Sequence, residues 1–263
     1  MEQFKNGTTL TAEQLNSTVW GTKLVGKRIS IVGDSISTFS GYIYPGNAAQ
    51  YPDGNVASVD DTYWKKLIDK TGMVLGVNNA YAGHKVSQQA TTAYINRLGE
   101  NGTPDIILVN VGTNAYSQGG STETVGEVDT TVPYPLTSEQ IAALTTKTFA
   151  DSYRTLLIRL QYAYPKAQIF CCSMVYSGHA NKYRFFDNPY IEVIEQYCKL
   201  YGVHYVDMRK CGITQINAAD HMLVNSGKIA GDYTHPNKAG HELMYQYLYN
   251  QILCNYAVPE SIE

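Results

Sequence analysis

The chain has 263 residues, of which 44% are hydrophobic and 16% are charged, and its formal net charge at pH 7 is −3. These values are typical of a globular protein with a full-sized core, and they exclude a disordered chain. A slightly acidic chain without a basic run is not expected to bind nucleic acid or an anionic membrane surface, and no apolar run approaches the roughly 20 residues of a membrane-spanning helix.

The N-terminal segment is polar. The first 30 residues lack the apolar stretch of a secretory signal, so we expect any export signal to be absent or already removed. No linker rich in Pro, Gly or Ser divides the rest of the chain. We therefore predict an N-terminal extension at residues 1–25 and one domain at residues 26–256.

Short apolar runs alternate with helical patterns from residue 28 to the end of the chain. The apolar runs predict strands at residues 28–33, 74–80, 105–112, 167–175 and 203–208. Helices are predicted at about residues 58–71, 86–99, 138–163, 188–201 and 237–253. Thr137 and Gln140 form a capping box that opens the third of these helices. This alternation is typical of βαβ units, so we expect an α/β domain whose parallel sheet is covered by helices on both faces.

Residues 115–135, after the third predicted strand, show no periodicity. Loops of this length inside a compact domain are uncommon and tend to be functional. Ligands of open α/β sheets bind outside the carboxyl ends of the strands. We therefore expect this loop to lie at that edge of the sheet, together with Ser35 and Asn114.

The cysteines do not follow the spacing of a metal site. The chain contains an odd number of them, namely Cys171, Cys172, Cys198, Cys211 and Cys254. The adjacent pair falls in a predicted buried strand, and we interpret all of them as reduced core residues. No C-x-x-C or H-E-x-x-H spacing occurs, so the sequence predicts no metal.

The stretch IVGDSISTF at residues 31–39 leaves two interpretations of Ser35 open. An apolar run that ends in Gly-Asp-Ser is typical of a strand-to-helix turn, where Ser is a preferred N-cap. Ser35 could equally be a catalytic nucleophile, although the G-x-S-x-G elbow of α/β-hydrolases is absent. A nucleophile needs a base, a carboxylate that orients the base, and donors for the developing oxyanion.

Residues far from Ser35 in the chain could supply these groups. Asp232 and His235 lie three residues apart in GDYTHPNKAGHEL, residues 231–243, so the carboxylate can fold back toward the imidazole. Gly83 follows the second predicted strand and could present a backbone N–H, and Asn114 follows the third with a side-chain amide. Each motif can also be explained as an ordinary turn, so none decides the function alone.

In their order along the chain, these motifs resemble a known superfamily. Ser35 in GDS, Gly83, Asn114 in GTN and His235 in DYTHPN match the four blocks of the SGNH hydrolases, also called GDSL-type esterases and lipases. The resemblance spans about residues 28–250, and GDSISTFSGY with YPDGNVASVDDTYW further resembles a bacterial subgroup of that superfamily. It implies a three-layer α/β/α sandwich of flavodoxin-like kind around a five-stranded parallel sheet.

The resemblance also implies a role for each matching residue. Ser35 would be the nucleophile, His235 its base, and Asp232 the carboxylate that orients the base. The backbone N–H groups of Ser35 and Gly83, with the side-chain amide of Asn114, would form the oxyanion hole. The implied reaction is ester hydrolysis through an acyl-enzyme, and it requires no cofactor.

One departure from the superfamily pattern keeps alternatives open. The third block usually reads G-x-N-D, and Ala115 replaces the acid here. Because that acid is not a member of the triad, we expect altered loop anchoring and retained chemistry. The alternatives are a non-catalytic glycan-binding module on the same fold and a thioesterase or lysophospholipase-type hydrolase. The segment NGTTLTAEQLNS, residues 6–17, resembles a short segment of bacteriophage tail and baseplate proteins, and this resemblance implies a phage or prophage origin.

Two features of the composition favour a short acyl group on a carbohydrate. The loop at residues 115–135 is built mainly from Ser, Thr, Gly, Glu and Asp, whereas a lipase needs an apolar surface for a long chain. The chain has 22 tyrosines against 6 phenylalanines, and tyrosine joins an apolar ring face to a polar tip that suits sugars. We therefore expect an esterase for short-chain esters, above all acetyl esters, of a small molecule or glycan.

Overall fold

The computed structural model describes residues 21–86, 98–117, 123–131, 135–176, 188–224 and 232–257, and the fold is given for these residues. Five strands form one parallel sheet in the order β2-β1-β3-β4-β5. They are β1 (Arg28–Gly33), β2 (Val74–Asn78), β3 (Ile106–Asn110), β4 (Gln168–Cys172) and β5 (His204–Val206). The predicted five-stranded parallel sheet is therefore confirmed, and four of its strands are shorter than the apolar runs that predicted them.

Helices connect the strands and cover both faces of the sheet. The α-helices are α1 (Tyr63–Thr71), α2 (Thr113–Ser117), α3 (Ser138–Ala142), α4 (Phe149–Ala163), α5 (Pro189–Tyr201), α6 (Ala218–His221) and α7 (Lys238–Asn255). Short 3-10 helices lie at Gly21–Leu24, Ser35–Ser37, Val59–Asp61, Leu98–Glu100 and Met208–Lys210. No helix among the described residues is long and apolar enough to cross a membrane.

Two apolar cores lie on opposite faces of the sheet. Alternate residues of β3 point to different cores, because successive side chains of a strand face opposite ways. Ile106 and Leu108 join the core that contains α1 and α7. Ile107 and Val109 join the core that contains α4 and α5. The architecture is thus the expected three-layer α/β/α sandwich.

The predicted helix at residues 138–163 is wrong in one respect, since two helices occupy this range. The expected capping box of Thr137 with Gln140 opens α3, which ends at Ala142. A second capping box, of Thr148 with Asp151, opens α4. The connection between them contains three threonines, whose β-branched side chains have low helix propensity, and Thr148 accepts the N–H of Asp151 as an N-cap.

Three other predictions have different outcomes. The helix predicted at residues 58–71 begins with the 3-10 helix Val59–Asp61 and continues as α1. Most of the helix predicted at residues 86–99 lies outside the described residues, as do the segment at residues 6–17 and most of the predicted N-terminal extension. Four of the cysteines are buried and free, but Cys254 is exposed because it lies on the outer side of α7, which corrects the prediction for that residue.

The predicted loop at residues 115–135 is partly helical, because its first three residues belong to α2. Its described part, residues 123–131, is bound to the start of α4. Phe149 and Ala150 donate their backbone N–H groups to the carbonyls of Thr124 and Val125 at 2.9 and 2.8 Å. Asp129 also forms an ion pair with Arg154 at 2.8 Å. The hydrogen bonds and the ion pair hold this part of the connection against α4.

Candidate active site

Ser35 lies directly after β1, at the start of the 3-10 helix Ser35–Ser37. The N-cap of this helix is Asp34, whose carboxylate accepts the backbone N–H of Ile36 at 3.1 Å. The interpretation of Ser35 as the N-cap is therefore wrong. Its hydroxyl instead lies 2.7 Å from Nε2 of His235, 200 residues further along the chain, and the side chains of both residues are buried.

The carboxylate of Asp232 contacts the imidazole of His235. Its Oδ2 lies 2.7 Å from Nδ1 of His235, and its Oδ1 accepts the backbone N–H groups of Thr234 and His235 at 2.9 and 3.1 Å. Burial raises the pKa of the Asp232 carboxyl. Hydrogen bonds and the charge of His235 together lower this pKa by more than burial raises it, so the pKa lies below its usual value. The carboxylate is therefore ionised at neutral pH.

The ionised carboxylate determines the tautomer of His235. A carboxylate can only accept, so Nδ1 of the neutral ring carries the proton and donates it to Asp232. Nε2 is then left as an acceptor for the hydroxyl of Ser35. This arrangement allows the imidazole to remove the proton of Ser35.

The turn that carries His235 is held by neighbours that the sequence does not reveal. The backbone N–H of Leu223 donates to the carbonyl of His235 at 2.8 Å. Tyr51 donates its hydroxyl to the carbonyl of Pro236 at 2.7 Å, and its ring meets the His235 ring edge to face at 6.4 Å. Tyr51 is one of 22 tyrosines, and nothing in its local sequence marks it as a neighbour of the site.

A second histidine, His241, lies behind Tyr51 and is completely buried. Its ring stacks on Tyr63 and meets Tyr51 edge to face at 4.9 Å, and its Nδ1 accepts the backbone N–H of Tyr63 at 3.3 Å. Burial, with a smaller contribution from the charge of His235, lowers the pKa of His241 to about 3. His241 is therefore neutral at physiological pH and belongs to the packing behind the site.

Gly83 and Asn114 lie in the connections that follow β2 and β3. Gly83 has a φ of +80°, in the left-handed region that favours glycine, and an added Cβ would meet no atom within 4 Å. The conformation of the turn, and not a lack of space, therefore favours glycine. The Asn114 amide donates to the carbonyl of His84 at 2.9 Å, and this hydrogen bond joins the two connections.

The connections that follow β2 and β3 are both hydrogen-bonded to residues at the end of β1. The backbone N–H of Tyr81 donates to the carbonyl of Gly33 at 2.9 Å, two residues before Ser35. The Asp34 carboxyl interacts with Thr113 at the start of α2. Burial raises the pKa of this carboxyl, and the hydrogen bonds from Ile36 and Thr113 oppose that rise. The structure thus brings the residues around Ser35, Gly83 and Asn114 to one edge of the sheet.

Ala115, at the position of the usual acid, is completely buried in the core beside α4. Its backbone N–H donates to Gly112, and its carbonyl accepts the N–H of Glu123, both at 2.9 Å. These bonds anchor the start of the following connection. The hydrogen bonds that join Ser35, His235 and Asp232 do not involve Ala115.

The described residues contain no candidate metal site. In that part of the chain, no group of three or more His, Cys, Asp or Glu side chains is placed to hold a metal ion.

Comparison with known proteins gives a family match and several similar folds. The family model described as GDSL-like lipase/acylhydrolase matches residues 27–216. No curated protein matches the chain. A solved structure described as a GDSL-like lipase from Bacteroides uniformis is 24% identical, with a TM-score of 0.63, and the alignment covers 86% of this chain and 95% of that one.

Two further solved structures are carbohydrate-active enzymes. A catalytic mutant of an acetylxylan esterase from Geobacillus stearothermophilus is 17% identical, with a TM-score of 0.55, and the alignment covers 87% of this chain and 94% of that one. A family two carbohydrate esterase from Clostridium thermocellum, in complex with cellohexaose, is 17% identical with a TM-score of 0.52 and coverage of 87% and 64%. At these identities the likeness concerns the fold.

Proposed function

The chain belongs to the GDSL-like lipase/acylhydrolase family, and on that premise we propose that it is a serine esterase that removes short acyl groups, above all acetyl, from carbohydrate. One observation carries the proposal of a serine mechanism. Nε2 of His235 lies 2.7 Å from the Ser35 hydroxyl, and Nδ1 of the same ring lies 2.7 Å from the Asp232 carboxylate. A base between a hydroxyl and a carboxylate is the arrangement that activates a serine nucleophile.

In the first half of the reaction, Oγ of Ser35 attacks the ester carbonyl while Nε2 of His235 takes the hydroxyl proton. The C=O pair moves to the oxygen, which becomes the oxyanion of a tetrahedral intermediate. This intermediate collapses, the C–O bond to the alcohol breaks, and His235 gives its proton to the departing alkoxide. Asp232 stabilises the imidazolium while it exists.

In the second half, water replaces the alcohol. His235 removes a proton from the water as its oxygen attacks the acyl-enzyme. The second tetrahedral intermediate then expels Ser35, which recovers its proton from His235. The products are the free acid and the unchanged enzyme.

The oxyanion is proposed to bind the backbone N–H groups of Ser35 and Gly83 and the amide of Asn114. A primary amide has two N–H donors, and one donor of Asn114 is used by the carbonyl of His84. That bond orients the amide and leaves its other N–H to bind the oxyanion. Donors that are oriented before the reaction stabilise the transition state without reorganisation.

A serine-reactive fluorophosphonate tests the proposed nucleophile. We expect the wild type to gain one covalent adduct at Ser35, because His235 makes that hydroxyl nucleophilic, and the Ser35→Ala variant to gain none. Intact-protein mass spectrometry and peptide mapping would measure this. The matched control is Ser58→Ala, which removes an exposed hydroxyl and should label like the wild type. A folded wild type that stays unlabelled would favour the non-catalytic alternative.

The proposed acyl group rests on composition and on the names of similar folds. Residues 123–131 of the 115–135 connection carry mainly Thr, Glu and Asp side chains, and their two valines, Val125 and Val128, pack against the core. This stretch is bound to α4, so it does not form an apolar lid. Two similar structures carry the names acetylxylan esterase and carbohydrate esterase, which supports an acetylated glycan as substrate.

A series of nitrophenyl esters tests the acyl preference. We expect kcat/KM to peak at acyl chains of about two to four carbons, because a long chain needs a contiguous apolar surface. Acetate release from acetylated xylo-oligosaccharides, measured in parallel, should be detectable. A peak at eight carbons or more, with no acetate released, would overturn the carbohydrate substrate and leave the serine mechanism intact.

A further inference from the structure

A cavity of about 620 Å³ lies in the connection between the Ser35–Ser37 helix and α1. Ligand pockets in proteins measure about 300–1,000 Å³, so this cavity has the size of a ligand site. Its lining combines apolar side chains with polar ones, among them Ile43, Tyr44, Pro45, Ser40 and Asn47. None of its described lining residues is charged.

Hydrogen bonds join the cavity wall to the turn that carries Gly83. The backbone N–H of Ala82 donates to the carbonyl of Ala48 at 2.9 Å. The side-chain amide of Asn47 donates to the carbonyl of Ala80, also at 2.9 Å. One wall of the cavity is therefore bound to the turn that supplies a proposed oxyanion donor.

The segment at residues 40–52, which lines the cavity, is also hydrogen-bonded to the chain around the proposed nucleophile and base. The Thr38 hydroxyl donates to the carbonyl of Ser35 at 2.7 Å and accepts the backbone N–H of Gln50 at 2.8 Å. Tyr51, which lines the cavity, contacts the His235 ring and donates to the next residue of that turn. The segment that lines the cavity therefore packs beside the proposed reaction centre and is held in place relative to it.

Four residues of the lining are exposed glycines and prolines. Gly41 and Gly46 have φ values of +83° and +87°, and an added Cβ at either would meet no atom within 4 Å. Pro45 and Pro52 are exposed, while Tyr44 is half-buried. The cavity therefore opens to solvent along these exposed residues.

We propose that this cavity binds the sugar on the alcohol side of the ester while the acyl group lies at Ser35, an inference that rests on the proposed esterase function. An acetylated sugar presents apolar C–H faces and neutral polar groups, which are ester oxygens and any free hydroxyl groups. The ring of Tyr44 and its apolar neighbours match those faces, and Ser40 and Asn47 carry neutral hydrogen-bonding groups. Because none of the described lining residues is charged, the cavity favours such a neutral ligand over a phosphorylated or carboxylated one.

Two acetate esters that differ in their alcohol test this proposal. Glucose pentaacetate carries a sugar, whereas p-nitrophenyl acetate has an activated leaving group that reacts without filling a sugar site. We expect Tyr44→Ala to lower kcat/KM for glucose pentaacetate by about tenfold or more, the size of a lost aromatic contact, and to change that for p-nitrophenyl acetate less than about twofold. Ser40→Trp, which places a large ring at an exposed position of the lining, should have the same selective effect.

The matched control is Tyr42→Ala, because Tyr42 lies on the same connection but packs against Phe39 and Trp64 and does not line the cavity. It should leave the ratio of the two kcat/KM values unchanged. If the wild type hydrolyses p-nitrophenyl acetate but not glucose pentaacetate, or if both cavity variants affect the two esters equally, the cavity proposal is overturned and the esterase proposal stands. If the wild type hydrolyses neither ester, the proposed function itself fails.

Discussion

We expect the His235→Ala variant to lose about 10⁴- to 10⁶-fold in kcat, because the Ser35 hydroxyl then has no base to take its proton. Asp232→Asn should cost about 10⁴-fold, since an amide can donate to Nδ1 and favour the wrong tautomer of His235. Asn114→Ala should cost less, about 10²- to 10³-fold, because it removes one of three oxyanion donors. Steady-state hydrolysis of p-nitrophenyl acetate, with circular dichroism as the check on folding, would measure all three.

The losses in kcat caused by the Ser35 and His235 variants should not multiply when the two variants are combined. Ser35 and His235 act as one unit through the 2.7 Å hydrogen bond, so the double variant Ser35→Ala/His235→Ala should be no slower than either single variant. The control is His221→Ala, which removes a half-buried imidazole bonded to the carbonyl of Asn217 and should keep wild-type kcat within about twofold. Multiplied losses in the double variant would show that the two residues act separately.

We expect the free energy of unfolding to fall by about 2 kcal/mol between pH 7 and pH 5 because of His241 alone. The ordinary pKa of histidine is 6.5, and burial lowers the pKa of His241 to about 3. Between these two pKa values the unfolded chain binds a proton that the folded protein does not. The stabilisation by neutral His241 is therefore complete above pH 6.5 and is lost progressively as the pH falls toward 3, where the loss reaches about 5 kcal/mol.

Urea unfolding of the wild type and of His241→Asn over this pH range would measure the effect. The Asn side chain keeps an oxygen near the position of Nδ1, which accepts the N–H of Tyr63, but it binds no proton. The variant should be less stable at pH 7 because a cavity replaces the ring, and its stability should depend less on pH. Subtracting the two curves removes the contribution of His204, whose pKa burial also lowers. Parallel curves would contradict the assignment to His241.

Several features of this protein follow from local sequence. The apolar runs predicted all five strands. The central strands β1, β3 and β4 are buried on both faces, which requires consecutive apolar side chains. The capping box of Thr137 with Gln140 could be predicted because both of its hydrogen bonds join residues that lie three positions apart in the sequence. The spacing of Asp232 and His235 likewise predicted a contact within one turn.

The edge of the sheet where the site lies was also predictable. The carboxyl ends of parallel strands meet at one edge, so the residues that follow β1, β2 and β3 must lie near one another. The hydrogen bonds of Tyr81 with Gly33 and of Asn114 with His84 agree with that argument. The catalytic roles of Ser35, His235, Asp232, Gly83 and Asn114 remain predictions for the experiments above.

Tertiary structure decided the features that depend on contacts between distant residues. The 2.7 Å contact between the Ser35 hydroxyl and Nε2 of His235 joins residues 200 positions apart, so it depends on the folding of the whole domain. The positions of Tyr51 and His241 behind that imidazole depend on packing across nearly 200 residues of chain. Local patterns encode hydrogen bonds that close within one turn, whereas the neighbours of a buried ring are determined by how whole helices and strands pack together.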